Sequence, residues 1–85
     1  MITKKIAIGN PAGLEAHPVA MLVQVASQYE SSIYIEDETR KVNAKSIMGM
    51  MSLGLGAGEQ VKVTANGEDE EKAIAAIEKY LRSEV

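Results

Sequence analysis

The chain contains no cysteine and one histidine, so a disulfide framework, a thiolate metal centre and a multi-histidine metal site are all excluded. It also has no apolar run near the eighteen or so residues that would span a bilayer. Its opening, Met1-Ile2-Thr3-Lys4-Lys5, leads into only a few apolar residues before Gly9-Asn10-Pro11 breaks the pattern, so no secretory signal is expected there. A cytoplasmic location is therefore expected. An excess of basic residues is lacking too: the formal net charge is −3 and the isoelectric point is near 5.1. A domain that binds nucleic acid by itself normally carries a basic stripe, so contact with DNA is expected only through a partner, and contact with a membrane is not expected.

What remains is 85 residues, 46% hydrophobic and 25% charged, with mean hydropathy −0.07. Chains of this size bury only about 60 to 65% of their unfolded surface, which predicts a single domain over residues 1–85 with one core. No internal repeat, low-complexity segment or linker interrupts it.

Hydrophobic spacing gives the elements. Ile2, Ile6 and Ile8 fall on one side of a period-two pattern that Lys4 interrupts, predicting a strand over 2–8, followed by a turn at Gly9-Asn10-Pro11-Ala12-Gly13. Val19, Leu22, Val23 and Ala26 recur at helical spacing, predicting a helix from about 17 to 28, with Pro18 in its first turn where no amide hydrogen is missed. Ile33 and Ile35, then Val42 and Ala44, alternate with polar neighbours around Glu36-Asp37-Glu38-Thr39, which predicts two antiparallel strands.

Ser46 precedes the short apolar piece Ile47-Met48-Gly49-Met50-Met51 and is expected to cap its one or two helical turns. Val61, Val63 and Ala65 form a fourth strand, stopped at Asn66-Gly67. In the last helix Ala73, Ile74, Ile77 and Leu81 form the buried stripe, with Glu68, Asp69, Glu70 and Glu71 at the positive end and Lys79 and Arg82 at the negative end. The order is β-α-β-β-α-β-α. It favours an α+β fold, an antiparallel sheet covered on one face by helices.

Few constellations here carry chemistry. Gly54-Leu55-Gly56-Ala57-Gly58 lacks the ending of a P-loop and the spacing of a dinucleotide fingerprint, so a mobile loop is the better account. The acids near residue 70 read as complements of the helix dipole and solvated charge rather than as a catalytic pair. No cofactor is expected.

His17 has the one side chain whose ordinary titration lies near neutrality. It reads either as an exposed residue in the first turn of a helix or as a phosphate acceptor. Glu15 reads either as a carboxylate that stabilises nearby N-terminal amides by about 0.3 to 1 kcal/mol or as a permanent, weaker imitation of a phosphorylated residue. Ser46, structural as a cap, is also a hydroxyl where phosphate would meet helix N-terminal amides, with Arg40, Lys41 and Lys45 near in sequence. The methionine-rich segment beside it suits an adaptable contact surface.

Three segments resemble one family. Gly13-Leu14-Glu15-Ala16-His17-Pro18 is similar to the Gly-Leu-His-Ala-Arg-Pro active-site turn of the HPr phosphocarriers of the bacterial sugar phosphotransferase system. Lys41-Val42-Asn43-Ala44-Lys45-Ser46-Ile47-Met48-Gly49, with Met51-Ser52-Leu53-Gly54, resembles the regulatory-serine segment of the Gram-positive members. Gly67-Glu68-Asp69-Glu70-Glu71-Lys72-Ala73 resembles their last-helix opening.

The resemblance implies an open-faced β-sandwich, four antiparallel strands under three helices. In the family, enzyme I phosphorylates the histidine from phosphoenolpyruvate for transfer to enzyme II components, and HPr kinase/phosphorylase phosphorylates the serine. The phosphoserine form binds catabolite control protein A, a LacI-type repressor. Carried across, Ser46 is the expected phosphoacceptor, Ile47, Met48 and Met51 contribute a docking surface, Glu15 replaces the histidine and His17 replaces the arginine. A non-enzymatic regulator is then expected, with a phosphocarrier using His17 as the alternative. A metabolic enzyme is a further possible partner, and monomer and homodimer are both compatible with the sequence.

Overall fold

The computed structural model describes residues 1–9, 16–53 and 58–82, with residues 16–18 described by their backbone alone. Seven elements follow in the expected order: β1 (Ile2–Ala7), α1 (Ala16–Ser27), β2 (Ser32–Glu36), β3 (Lys41–Asn43), α2 (Ile47–Met51), β4 (Gln60–Asn66) and α3 (Glu70–Leu81). The strands form one four-stranded antiparallel sheet in the order β1-β4-β2-β3. It is the open-faced α+β sandwich anticipated above.

The period-two residues set the sheet's two faces. Val61, Val63 and Ala65 on β4, Ile33 and Ile35 on β2 and Ile6 on β1 are buried, whereas Lys62, Tyr34, Ser32 and Lys5, a half-period away, are exposed. Register holds this alternation across the sheet, since Lys4 pairs with Val63 and Val63 with Ile35. A one-residue slip would turn every apolar side chain to water. Lys4 occupies a core-facing phase at the β1 edge, and its ammonium reaches Glu78 of α3 at 2.6 Å. The charge that interrupts the strand pattern thus ties the edge strand to the last helix.

The helices supply the other half of the core. Val19, Leu22 and Ala26 of α1, Met50 of α2, and Ala73, Ile74, Ile77 and Leu81 of α3 are buried in the same cluster as the inward strand residues. The α1 helix ends one residue earlier than expected, where the Gln28 and Tyr29 amides bond to Val25 and Ala26 at 3.2 Å and tighten the last turn.

Two glycines permit close chain crossings. A Cβ on Gly9 would lie 2.7 Å from the Arg82 carbonyl oxygen, where the Gly9 amide bonds to Leu81 at 2.8 Å. One on Gly67 would lie 2.7 Å from both Cα and Oγ of Ser31.

Candidate phosphoacceptor and docking site

The segment leading to Ser46 is built from local hydrogen bonds. After β3 the Lys45 amide donates to the Asn43 side-chain oxygen at 2.8 Å and the Ser46 amide to the Asn43 carbonyl at 3.0 Å. Asparagine favours this turn because its side chain replaces a backbone acceptor. Ser46 then adopts an extended conformation (φ −104°, ψ 112°) as the N-cap of α2, and its Oγ accepts from the Gly49 amide at 3.2 Å. At the other end Ser52 Oγ donates to the Gly49 carbonyl at 2.6 Å. The expected cap is therefore formed, and the hydroxyl belongs to an exposed residue.

The apolar residues of α2 divide sharply. Met50 is 1% exposed and anchors the helix, whereas Ile47, Met48 and Met51 are 40%, 82% and 54% exposed. Positions 47, 48 and 51 share one helix face. The structure therefore brings together four predicted site residues: an exposed hydroxyl and three exposed apolar side chains within six positions.

The predicted basic surround is different. Lys45 Nζ donates to the Tyr29 carbonyl beyond α1 at 2.6 Å, and Lys41 Nζ stands over the Tyr34 ring, 5.1 Å from its centroid. Two of the three cations expected to attend Ser46 are thus engaged with other groups. The Lys45 contact instead ties the α2 approach to the end of α1.

Residues 10–15 and 54–57 lie outside the described residues, as does the His17 side chain, so Glu15, most of the turn expected at Gly9-Asn10-Pro11-Ala12-Gly13 and most of the run Gly54-Leu55-Gly56-Ala57-Gly58 fall there. His17 itself falls in the first turn of α1.

One role was invisible in the sequence. Asp69, read as a dipole complement, precedes α3 but makes no side-chain capping bond to it. Its carboxylate accepts from the Glu30 amide at 2.9 Å, the Ser31 amide at 3.0 Å and the Ser31 hydroxyl. The Ser31 hydroxyl first, and the Glu30 amide second, hold its acidity below the ordinary carboxylate value. Ser31 is fully buried, so Asp69 fastens the start of α3 to the entry of β2. No spacing rule links positions 38 apart.

Among the described residues no group of three or more His, Cys, Asp or Glu side chains could hold a metal ion, and no helix is long and apolar enough to cross a membrane.

Comparison with known proteins supplies what local geometry does not. Residues 2–83 match the family described as PTS HPr component phosphorylation site. That places the molecule in the class of small phosphocarrier and regulatory proteins of the phosphotransferase system, which are not enzymes. The chain belongs to the HPr family.

It is 41% identical to the HPr-like protein Crh of Bacillus subtilis, over all of both chains. It is also 40% identical to the phosphocarrier protein HPr of Treponema pallidum, over 98% of this chain and 94% of that one. Of solved structures, HPr from Bacillus anthracis superposes with a TM-score of 0.90 at 40% identity, covering 94% of this chain and 95% of that one. Crh from Bacillus subtilis, described as a domain-swapped dimer, gives 0.78 at 41% identity, covering 100% and 98%.

Proposed function

We propose that this HPr-family chain is a single-domain cytoplasmic regulator, phosphorylated on Ser46 by HPr kinase/phosphorylase, that then serves as corepressor of catabolite control protein A. The observation that carries the reading is the exposed Ser46 hydroxyl beside Ile47, Met48 and Met51, which are 40%, 82% and 54% exposed. A serine ester there adds about −1.5 to −2 charges at neutral pH without disturbing the core, because the anchoring Met50 points inward. The apolar face supplies contact area and the phosphate supplies a conditional charge. Together they form a surface whose affinity depends on modification.

Glu15 stands where the resemblance puts the family's histidine, so transfer through that position is closed. His17, at the position of the family's arginine, supplies an imidazole in place of a fixed cationic fork. The full-length similarity to Crh supports the regulatory reading. Exchange of β1, an edge strand paired with β4 alone, is the proposed route to a homodimer, in keeping with the swapped dimer described for the relative. A metabolic enzyme is proposed as a further partner of the same surface.

A second reading is a phosphocarrier that uses His17, favoured by the 40% identity to the Treponema pallidum phosphocarrier. One experiment separates them. The protein is incubated with phosphoenolpyruvate and enzyme I, and separately with ATP and HPr kinase/phosphorylase, and phosphate is mapped by mass spectrometry. Acid-stable phosphate on Ser46 alone is expected; acid-labile phosphate on His17 would overturn the regulatory reading.

A further inference from the structure

The α2 helix holds three of the chain's five methionines within four positions, and the fold treats them in opposite ways. Met48 is 82% exposed and Met51 54% exposed, while Met50 between them is 1% exposed. Met48 and Met51 lie three residues apart, so their side chains are neighbours on one helical face, the face that also carries Ile47 and begins at Ser46. A thioether is apolar and deformable, and its sulfur is a two-electron reductant whose reactivity follows its access to solvent.

We propose that Met48 and Met51 are a paired, reversible oxidation site that withdraws this docking face from use. The oxidant is a peroxide. Its terminal oxygen transfers to the methionine sulfur, an S–O bond forms as the O–O bond breaks, the sulfur loses two electrons, and hydrogen peroxide is reduced to water. Reversal by a thiol-dependent methionine sulfoxide reductase consumes two thiols and yields the thioether, a disulfide and water.

The product is a polar S=O group, a hydrogen-bond acceptor that must be desolvated before a partner can cover it. Two such groups, side by side, change the apolar half of the surface while Met50 keeps the helix anchored. Phosphorylation at Ser46 and oxidation at Met48 and Met51 then act on one face with opposite sign. The consequence for docking rests on the proposed function above; the site itself does not.

The test begins with the intact protein in dilute hydrogen peroxide, followed over time by peptide mapping. Met48 and Met51 are expected to gain oxygen at least about tenfold faster than Met50, whose oxidation must await local opening, with Met21, 40% exposed, in between. Incubation with the two methionine sulfoxide reductases, one for each sulfoxide epimer, and dithiothreitol is expected to restore the mass. The melting temperature should be nearly unchanged while only Met48 and Met51 carry oxygen.

Oxidation of Met50 as fast as Met48, resistance of Met48 to peroxide, or failure of both reductases to restore the residues would each overturn the site. For the docking arm, Ser46-phosphorylated protein is titrated with catabolite control protein A before and after oxidation, alongside a Met48→Leu/Met51→Leu variant. Peroxide is expected to weaken binding by the protein at least about tenfold, and to leave the variant's binding, whatever its starting strength, unchanged relative to the same variant untreated. Equal binding before and after would remove the switch. Absence of binding by the untreated phosphoprotein would count against the corepressor reading, and the mapping would still decide the oxidation site.

Discussion

The helices α2 and α3 contribute to the same core, yet they use their apolar residues differently. In α3, twelve residues long, the whole predicted stripe of Ala73, Ile74, Ile77 and Leu81 is buried, and Asp69 fastens its entry to the start of β2. The five-residue α2 buries Met50 and leaves three large apolar side chains exposed. A helix whose apolar stripe is consumed by the core has little left for a partner. One that is held by a single anchor and capped by Ser46 and Ser52 carries surplus apolar surface that the fold does not need. Stability and recognition are therefore divided between the two helices.

That division is most exposed to failure at Ile77. Truncation by Ile77→Ala should lower the unfolding free energy by about 2 to 5 kcal/mol, read from urea denaturation; a loss under about 1 kcal/mol would show that α3 is not the stabilising member. Ser46→Ala should cost about 1 kcal/mol. The loss should be seen chiefly as faster amide exchange at Gly49, the donor to the Ser46 hydroxyl, and unchanged exchange there would mean that the cap does not hold α2 together.

An effect confined to acid belongs to α3. The Asp69 carboxyl titrates below its ordinary value of 3.8 because of its bonds to Ser31 and Glu30. Its contribution is therefore fully present above that value and disappears as pH falls through the lower folded-state one. Urea midpoints of the protein and of Asp69→Asn should thus differ at about pH 6 and converge toward about pH 2. A constant difference would contradict the assignment. The smallest effect is expected at Met48, where replacement by serine should change stability by no more than about 0.5 kcal/mol while weakening partner binding.

Much of this organisation was legible beforehand because it is local. Period-two and period-3.6 spacing located the strands and the two long helices, and a serine before a short apolar run marked the α2 cap. The serine segment carried the family resemblance, and the full-length match bears it out. Cross-links between distant positions were not legible. Lys45 was expected to attend Ser46, its sequence neighbour, but reaches Tyr29; Asp69 was assigned to its own helix but serves Ser31. Such partners are selected by where packing brings backbone donors and acceptors, and sequence proximity misleads when a side chain is long enough to choose.

The sequence by itself determined the order of elements, the inward and outward faces of the strands, the apolar stripes of α1 and α3 and the Ser46 cap, because each depends on a repeat or a bond within a few residues. Tertiary structure alone decided the sheet order β1-β4-β2-β3 and the tie from Asp69 to β2, and packing selects the α2 methionine that enters the core, a choice that the family resemblance anticipated but residue spacing did not. In Ile47-Met48-Gly49-Met50-Met51 nearly every position is apolar, so periodicity assigns no face. Only the packed sheet and neighbouring helices select Met50 for burial and leave Met48 and Met51 at the surface.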